Sequence, residues 1–198
     1  MQTSGVIYFY KDQALYKSIP NFLTFGRILI IIPIIITFYF DDKAFAHKLS
    51  ATLFALACIT DFFDGYLARK FRWQSTFGSI LDPIADKLLI CSILLMIAKF
   101  REYQEIPCLL ILMREIAVTG MRESLAHIRI SVPVTNLAKI KTAIQMVALF
   151  TLLLGSTGSG IPSLDVVGGI LLWLAAGLTV ITGYIYLRFY IYYYSKHD

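Results

Sequence analysis

This 198-residue chain is short of charge: Asp, Glu, Lys and Arg together make up 16% of it, against 58% hydrophobic residues. Ordinary soluble domains carry about a quarter charged residues, so that class is excluded. Cysteine and histidine are sparse too. Cys58, Cys91 and Cys108 are scattered, as are His47, His127 and His197, and none has the ligand spacing of a zinc site. The cysteines read as small fillers of apolar spans, with no disulfide expected. Internal repeats and low-complexity segments are absent, and residues 155 to 163 form the only linker-like stretch. The beginning, YFYKDQALYKSIP, lacks the long apolar core and small-residue cleavage site of a secretory signal. Basic residues are dispersed over connections rather than gathered on one face, so nothing suggests nucleic acid.

Long apolar runs fill most of the remainder. Stretches of about 20 or more residues fall at 20 to 40, 45 to 69, 77 to 99, 105 to 126, 137 to 155 and 164 to 189. The expected fold is all-α: a polytopic membrane protein of six transmembrane helices, preceded by an amphipathic helix lying at the interface. Residues 1 to 18 form the interfacial segment, 19 to 190 one membrane domain and 191 to 198 a tail. Six spans place both termini on one side. That side holds most of the Lys and Arg, whereas the loop GSTGSGIPS on the other has none. The positive-inside rule therefore makes the termini and the turn at 70 to 76 cytoplasmic. The net charge of +5 would favour anionic lipid, but topology alone requires such an excess.

Against this apolar background, residues 61 to 87 read DFFDGYLARKFRWQSTFGSILDPIADK, with four aspartates. Carboxylates cost about 2.5 to 3.5 kcal/mol each at bilayer depth, so four facing lipid unpaired would forfeit about 10 kcal/mol. They must face a cavity. With Asp61 at zero, helical rotation puts Asp64 at ~300°, Gly65 at ~40°, Ala68 at ~340° and Arg69 at ~80°, all on one face. Gly78, Asp82 and Asp86 step by four residues along one stripe of the next helix, from which Lys87 points away. Pro83 should kink that helix.

An all-carboxylate cluster selects hard divalent cations such as magnesium, manganese or calcium. Four carboxylates exceed what one magnesium ion draws from protein, and a pair of ions could share them in phosphoryl transfer. A proton or cation pathway through a transporter would also place acids in membrane helices.

Asp61, Asp64, Gly65, Ala68, Arg69, Gly78, Asp82 and Asp86 reproduce the motif D-x-x-D-G-x-x-A-R-x8-G-x3-D-x3-D, and in this the chain resembles the CDP-alcohol phosphotransferases. NFLTFGR, MREIAVTGMRES and NLAKIKTAIQMVAL are similar to bacterial members that use glycerol 3-phosphate as acceptor. The resemblance runs from about Ile19 to the last helix. It implies a homodimer that uses two Mg2+ or Mn2+ ions held by Asp61, Asp64, Asp82 and Asp86, with Asp86 also the general base. It implies that CDP-diacylglycerol is bound through Asp64, Gly65, Ala68, Arg69 and Gly78 at the inner face of the bacterial plasma membrane. Asn21, Thr24 and Arg27 form a polar stripe on the first helix that would complete the nucleotide pocket.

The acceptor rests on other residues. Arg114 and Arg122 lie eight residues apart on the fourth span, only ~80° around the helix, and Lys139 and Lys141 open the fifth. These cations would hold the phosphate of sn-glycerol 3-phosphate near Asp86, giving phosphatidylglycerophosphate. Pairing with Glu115, Glu123 or the aspartates is the structural alternative. A neutral acceptor such as inositol would need no such cluster, whereas inositol phosphate or phosphatidylglycerol would. The tyrosines from Tyr184 to Tyr194 read as an interfacial belt, and Gly168, Gly169, Gly177 and Gly183 as sites of close helix packing.

Overall fold

The computed structural model describes residues 24–71, 76–128, 130 and 135–197; side chains at 64–80 and 197 lie outside that description. The expected interfacial helix and Asn21 fall outside the described residues. Those described form six helices and no strand: α1 (Thr24–Thr37), α2 (Lys43–Phe71), α3 (Thr76–Phe100), α4 (Glu105–His127), α5 (Asn136–Ser159) and α6 (Leu164–His197). Each coincides with an apolar run of the sequence. Two of them, α5 and α6, are long and apolar enough to cross a membrane by length and composition. The helices α1 to α5 carry the charged residues that make up the site described below.

Helix ends follow local chemistry. Asp42 Oδ1 accepts from the Phe45 amide at 3.0 Å as α2 begins, and the Thr135 side chain accepts from the Ala138 amide at 3.3 Å as α5 begins. Each satisfies one of the amides a helix start leaves unpaired. Pro83 lies inside a continuous α3. The tail expected at 191 to 198 is helical through His197, as part of α6.

The core gathers Ile34, Phe54, Leu89, Ile93, Leu149 and Leu172 from α1, α2, α3, α5 and α6. Helix α5 packs on α6 and α2, and α4 on α6 and α3. On α4, Leu109, Met113 and Ile116 are 56, 60 and 70% exposed. At spacings of four and three they form one outward apolar stripe, suited to lipid rather than water. An added Cβ at Gly168 would sit 2.9 Å from Leu152 and from Thr151, so α6 approaches α5 there because the side chain is missing. Gly183 likewise faces the stem of Arg114 at 3.0 Å, whereas Gly177 meets nothing within 4 Å and carries no close packing.

Successive helices alternate in direction, which gives the bundle two distinct ends. At one end α5 breaks: Gly155 has φ 57° and ψ 176°, a conformation open essentially to glycine alone. Residues 155 to 163 are thus partly helical rather than a plain linker. The break releases α5 carbonyls, and side chains take them up. Arg101 donates to Leu152 O at 2.6 Å and to Asp165 Oδ1 at 2.7 Å. His47 Nδ1 lies 2.7 Å from Leu153 O, and the Ser156 amide donates to Asp165 Oδ2 at 3.0 Å. One clamp therefore joins α2, α3, α5 and α6. In Gly155→Ala the new Cβ would lie 2.5 Å from Arg101 Nη2 and 2.9 Å from Asp165 Oδ1. Backbone strain alone costs about 1–3 kcal/mol. We expect the unfolding temperature in detergent to fall by several degrees; an unchanged transition in a thermal melt would contradict this role of the break.

Candidate active site

The opposite end holds the acidic motif. Asp61 stands in the last turns of α2 with its side chain 50% exposed, and Arg27 of α1, 2% exposed, reaches it through Nη2 at 2.6 Å. Thr24, one turn before Arg27, is buried and donates its hydroxyl to Asp82 Oδ1. The polar stripe expected on α1 thus orients two of the motif carboxylates. Asp86, one turn beyond Asp82, lines with Asp61 a cavity of about 230 Å³ whose walls include Lys87, Glu115, Lys141 and Gln145. Asp64, Gly65, Ala68 and Arg69 fall within α2 and Gly78 within α3, but their side chains lie outside the described set.

An adjoining opening of about 950 Å³ brings together Arg114, Arg122, Lys139 and Lys141, the four cations singled out for an acceptor phosphate, and Asp86 reaches it as well. That size lies within the usual range of roughly 300–1,000 Å³ for small-ligand pockets. The four are not equivalent. Lys141 donates to Glu115, and Arg114 Nη1 lies 3.0 Å from the same carboxylate. Lys141 is 4% exposed, so this pairing meets a buried ammonium's need for a counter-charge. Arg122 and Lys139 make no ion pair among the described residues. The structural pairing with Glu115 therefore holds for two of the four cations.

Three residues correct or extend the expected site. Lys87 does not point away from the aspartates: it lines both cavities with Asp86, donates to Thr119 and comes within 3.9 Å of Glu115. A flexible four-carbon stem reaches a face that its Cα position does not. Tyr186 is no part of an interfacial belt; it is 6% exposed and lies under the Arg114 guanidinium, 5.6 Å from ring centroid to carbon. Tyr184 and Tyr192 are 59 and 63% exposed. Gln145, one turn after Lys141, is buried on the cavity wall, and no spacing signal distinguishes it from an ordinary core glutamine.

The donors on the acidic wall are carboxylate oxygens, with a hydroxyl and a guanidinium fixing two of them. Among the described residues no three metal-ligating side chains converge, the expected ligand Asp64 being outside that set. This donor chemistry fits a hard divalent cation and not zinc.

The profile of the CDP-alcohol phosphatidyltransferase family matches residues 17–181. The chain belongs to that family. Similar relatives include the CDP-diacylglycerol–glycerol-3-phosphate 3-phosphatidyltransferase of Rickettsia felis, 56% identical over 87% of this chain and 94% of the relative. The enzyme of that name from Cereibacter sphaeroides is 37% identical over 86% of this chain and 94% of the relative. A chloroplastic/mitochondrial enzyme of Arabidopsis thaliana, carrying the same name with the suffix 1, is 38% identical over 86% of this chain and 62% of the relative. As a CDP-alcohol phosphatidyltransferase the chain is a transferase, and the cation pathway that acid spacing left open is set aside. All eight motif positions lie inside the matched segment, as do the four acceptor-side cations and Glu115.

Proposed function

We infer that the chain transfers the phosphatidyl group of CDP-diacylglycerol to sn-glycerol 3-phosphate, giving phosphatidylglycerophosphate and CMP in anionic phospholipid synthesis. The observation carrying this reading is the pair of adjoining cavities, with Asp61 and Asp86 on one wall and Arg114, Arg122, Lys139 and Lys141 on another. A phosphate dianion needs charge-assisted donors, and its hydroxyl must reach a proton acceptor. An acceptor spanning from Arg122 to Asp86 meets both requirements.

CDP-alcohol phosphatidyltransferases generally use divalent metal ions. We assign Mg2+ or Mn2+, two ions, to Asp61, Asp64, Asp82 and Asp86. Such ions, when bound, polarise the pyrophosphate and offset the charge growing on the leaving oxygen. The protein's own residues do the remainder. Arg27 and Thr24 fix the carboxylates of Asp61 and Asp82. Asn21, Thr24, Asp64, Gly65, Ala68, Arg69 and Gly78 form the cytidine diphosphate site in this reading. The acceptor hydroxyl attacks the phosphorus that carries diacylglycerol, and CMP leaves. An alcohol resembling water has a pKa of about 15.7 and a free aspartate about 3.9, a gap equivalent to roughly 16 kcal/mol. Asp86 therefore cannot remove the proton beforehand; it receives it as the new bond forms.

The deciding experiment is CMP release by purified protein. Release with glycerol 3-phosphate and none with inositol phosphate, serine or phosphatidylglycerol is expected. The reverse pattern would keep the family and reject this acceptor.

The bacterial type of the relatives and the apolar helices associate the chain with a membrane. We propose further that all six helices span it, with the site and both termini cytoplasmic, and that the protein is a homodimer. Alternating helix direction and the excess of basic residues at the site end support the orientation. A cysteine placed at Ser159, beside the clamp, should react with an impermeant label from outside, while a reporter fused after Asp198 stays inside. Labelling of the tail from outside would overturn this topology, and a single-chain mass by sedimentation in detergent would remove the dimer.

A further inference from the structure

Glu115 stands at a junction. It lines both the cavity that holds Asp61 and Asp86 and the one that holds Arg122 and Lys139. Three cations from three helices converge on its carboxylate: Arg114 of α4 at 3.0 Å, Lys141 of α5 in direct hydrogen bond, and Lys87 of α3 at 3.9 Å. A hydroxyl tightens the group, since Thr119 accepts from Lys87 and donates to the Glu115 carbonyl at 2.6 Å. Buried cations such as Lys141 and Arg114 must find a counter-charge. Were Glu115 absent, the other acids on the same walls, among the described residues, would be Asp86 and Asp61. Lys87 follows Asp86 in the chain, and Lys141 shares its cavity.

We propose that Glu115 is a positioning residue that keeps the basic and acidic halves of this site apart: its carboxylate ties down Lys87, Arg114 and Lys141 and so keeps them off Asp86. Asp86 thereby stays free to accept the proton of the acceptor hydroxyl. The tethered cations remain beside Arg122 and Lys139 as a fixed array for a phosphate dianion, which meets the array already spaced by an internal anion. The proposal rests on the acceptor reading above for the identity of that dianion. The separation of ammonium groups from Asp86 does not depend on it.

The test is Glu115→Gln, which keeps the shape and removes the charge. In purified enzyme, kcat should fall by about tenfold or more while KM for CDP-diacylglycerol stays within about twofold. The magnesium concentration giving half-maximal rate should rise several-fold as an ammonium occupies Asp86. Inorganic phosphate should bind several-fold tighter by calorimetry, because the basic array has lost its internal anion. Glu115→Asp, with the charge restored on a shorter stem, should recover most of the magnesium response. If Glu115 merely knots α3, α4 and α5 together, Glu115→Gln will lower the unfolding temperature and leave kcat, the magnesium response and phosphate binding as they are; that result overturns the proposal. Should Glu115→Gln fail to accumulate, Glu115→Asp carries the test, and an unchanged kcat and magnesium response in it count equally against the proposal. Failure of the acceptor reading shows separately, as an unchanged KM for glycerol 3-phosphate in Arg122→Ala and Lys139→Ala.

Discussion

Asp86→Asn is expected to leave the bundle folded and abolish turnover. Loss of a positioned proton acceptor costs roughly 10²–10⁴-fold in rate, and the loss of a carboxylate oxygen donor adds to it. No ion pair among the described residues depends on Asp86, so its thermal unfolding in detergent should match that of the parent. Asp61→Asn should be as inactive but less stable, because it removes the carboxylate 2.6 Å from a guanidinium that is 2% exposed. Breaking a fully buried pair costs about 3–5 kcal/mol; here Asp61 is half-exposed, and the loss is correspondingly smaller. CMP release and a thermal melt on both variants check this together. Appreciable activity in Asp86→Asn would remove it from the chemistry, and equal stability of the two variants would deny Arg27 its role in holding Asp61.

Arg122→Ala and Lys139→Ala should separate the two substrates. A hydrogen bond to a charged group contributes about 1.5–3 kcal/mol, so each change should raise KM for glycerol 3-phosphate by roughly 10–150-fold. KM for CDP-diacylglycerol should hardly move, since neither residue lines the cavity that contains Asp61. These two are cleaner probes than Arg114 and Lys141, whose loss would also loosen Glu115. Steady-state kinetics with each substrate varied in turn gives the answer; a parallel rise in both KM values, or none, would detach these cations from the acceptor.

The helices and the acidic motif could be read from the chain because both are local signals. Apolar run length marks each helix, and spacings of three and four put the aspartates on shared faces. The acceptor-side cluster was legible in part: Arg114, Arg122, Lys139 and Lys141 do meet around one opening. Lys87 escaped because Cα geometry says little about where a long flexible stem ends. Tyr186 escaped because a tyrosine-rich tail matches an interfacial belt in composition, and only the packing of α6 beside Arg114 singles one ring out. The break at Gly155 was hidden for a similar reason. Nothing within GSTGSG specifies which glycine leaves the helix; that is settled by His47 of α2, Asp165 of α6 and Arg101, which follows the end of α3.

The motif aspartates sit on α2 and α3, whereas the cations of the larger opening sit, apart from Lys87, on α4 and α5. In the proposed reading, donor and acceptor recognition are written in consecutive stretches of one gene. A lineage could trade one alcohol for another by mutating residues 105 to 145 while its aspartates stayed fixed. A chimera exchanging that stretch with a cousin of different appetite should inherit the cousin's alcohol and keep its dependence on CDP-diacylglycerol.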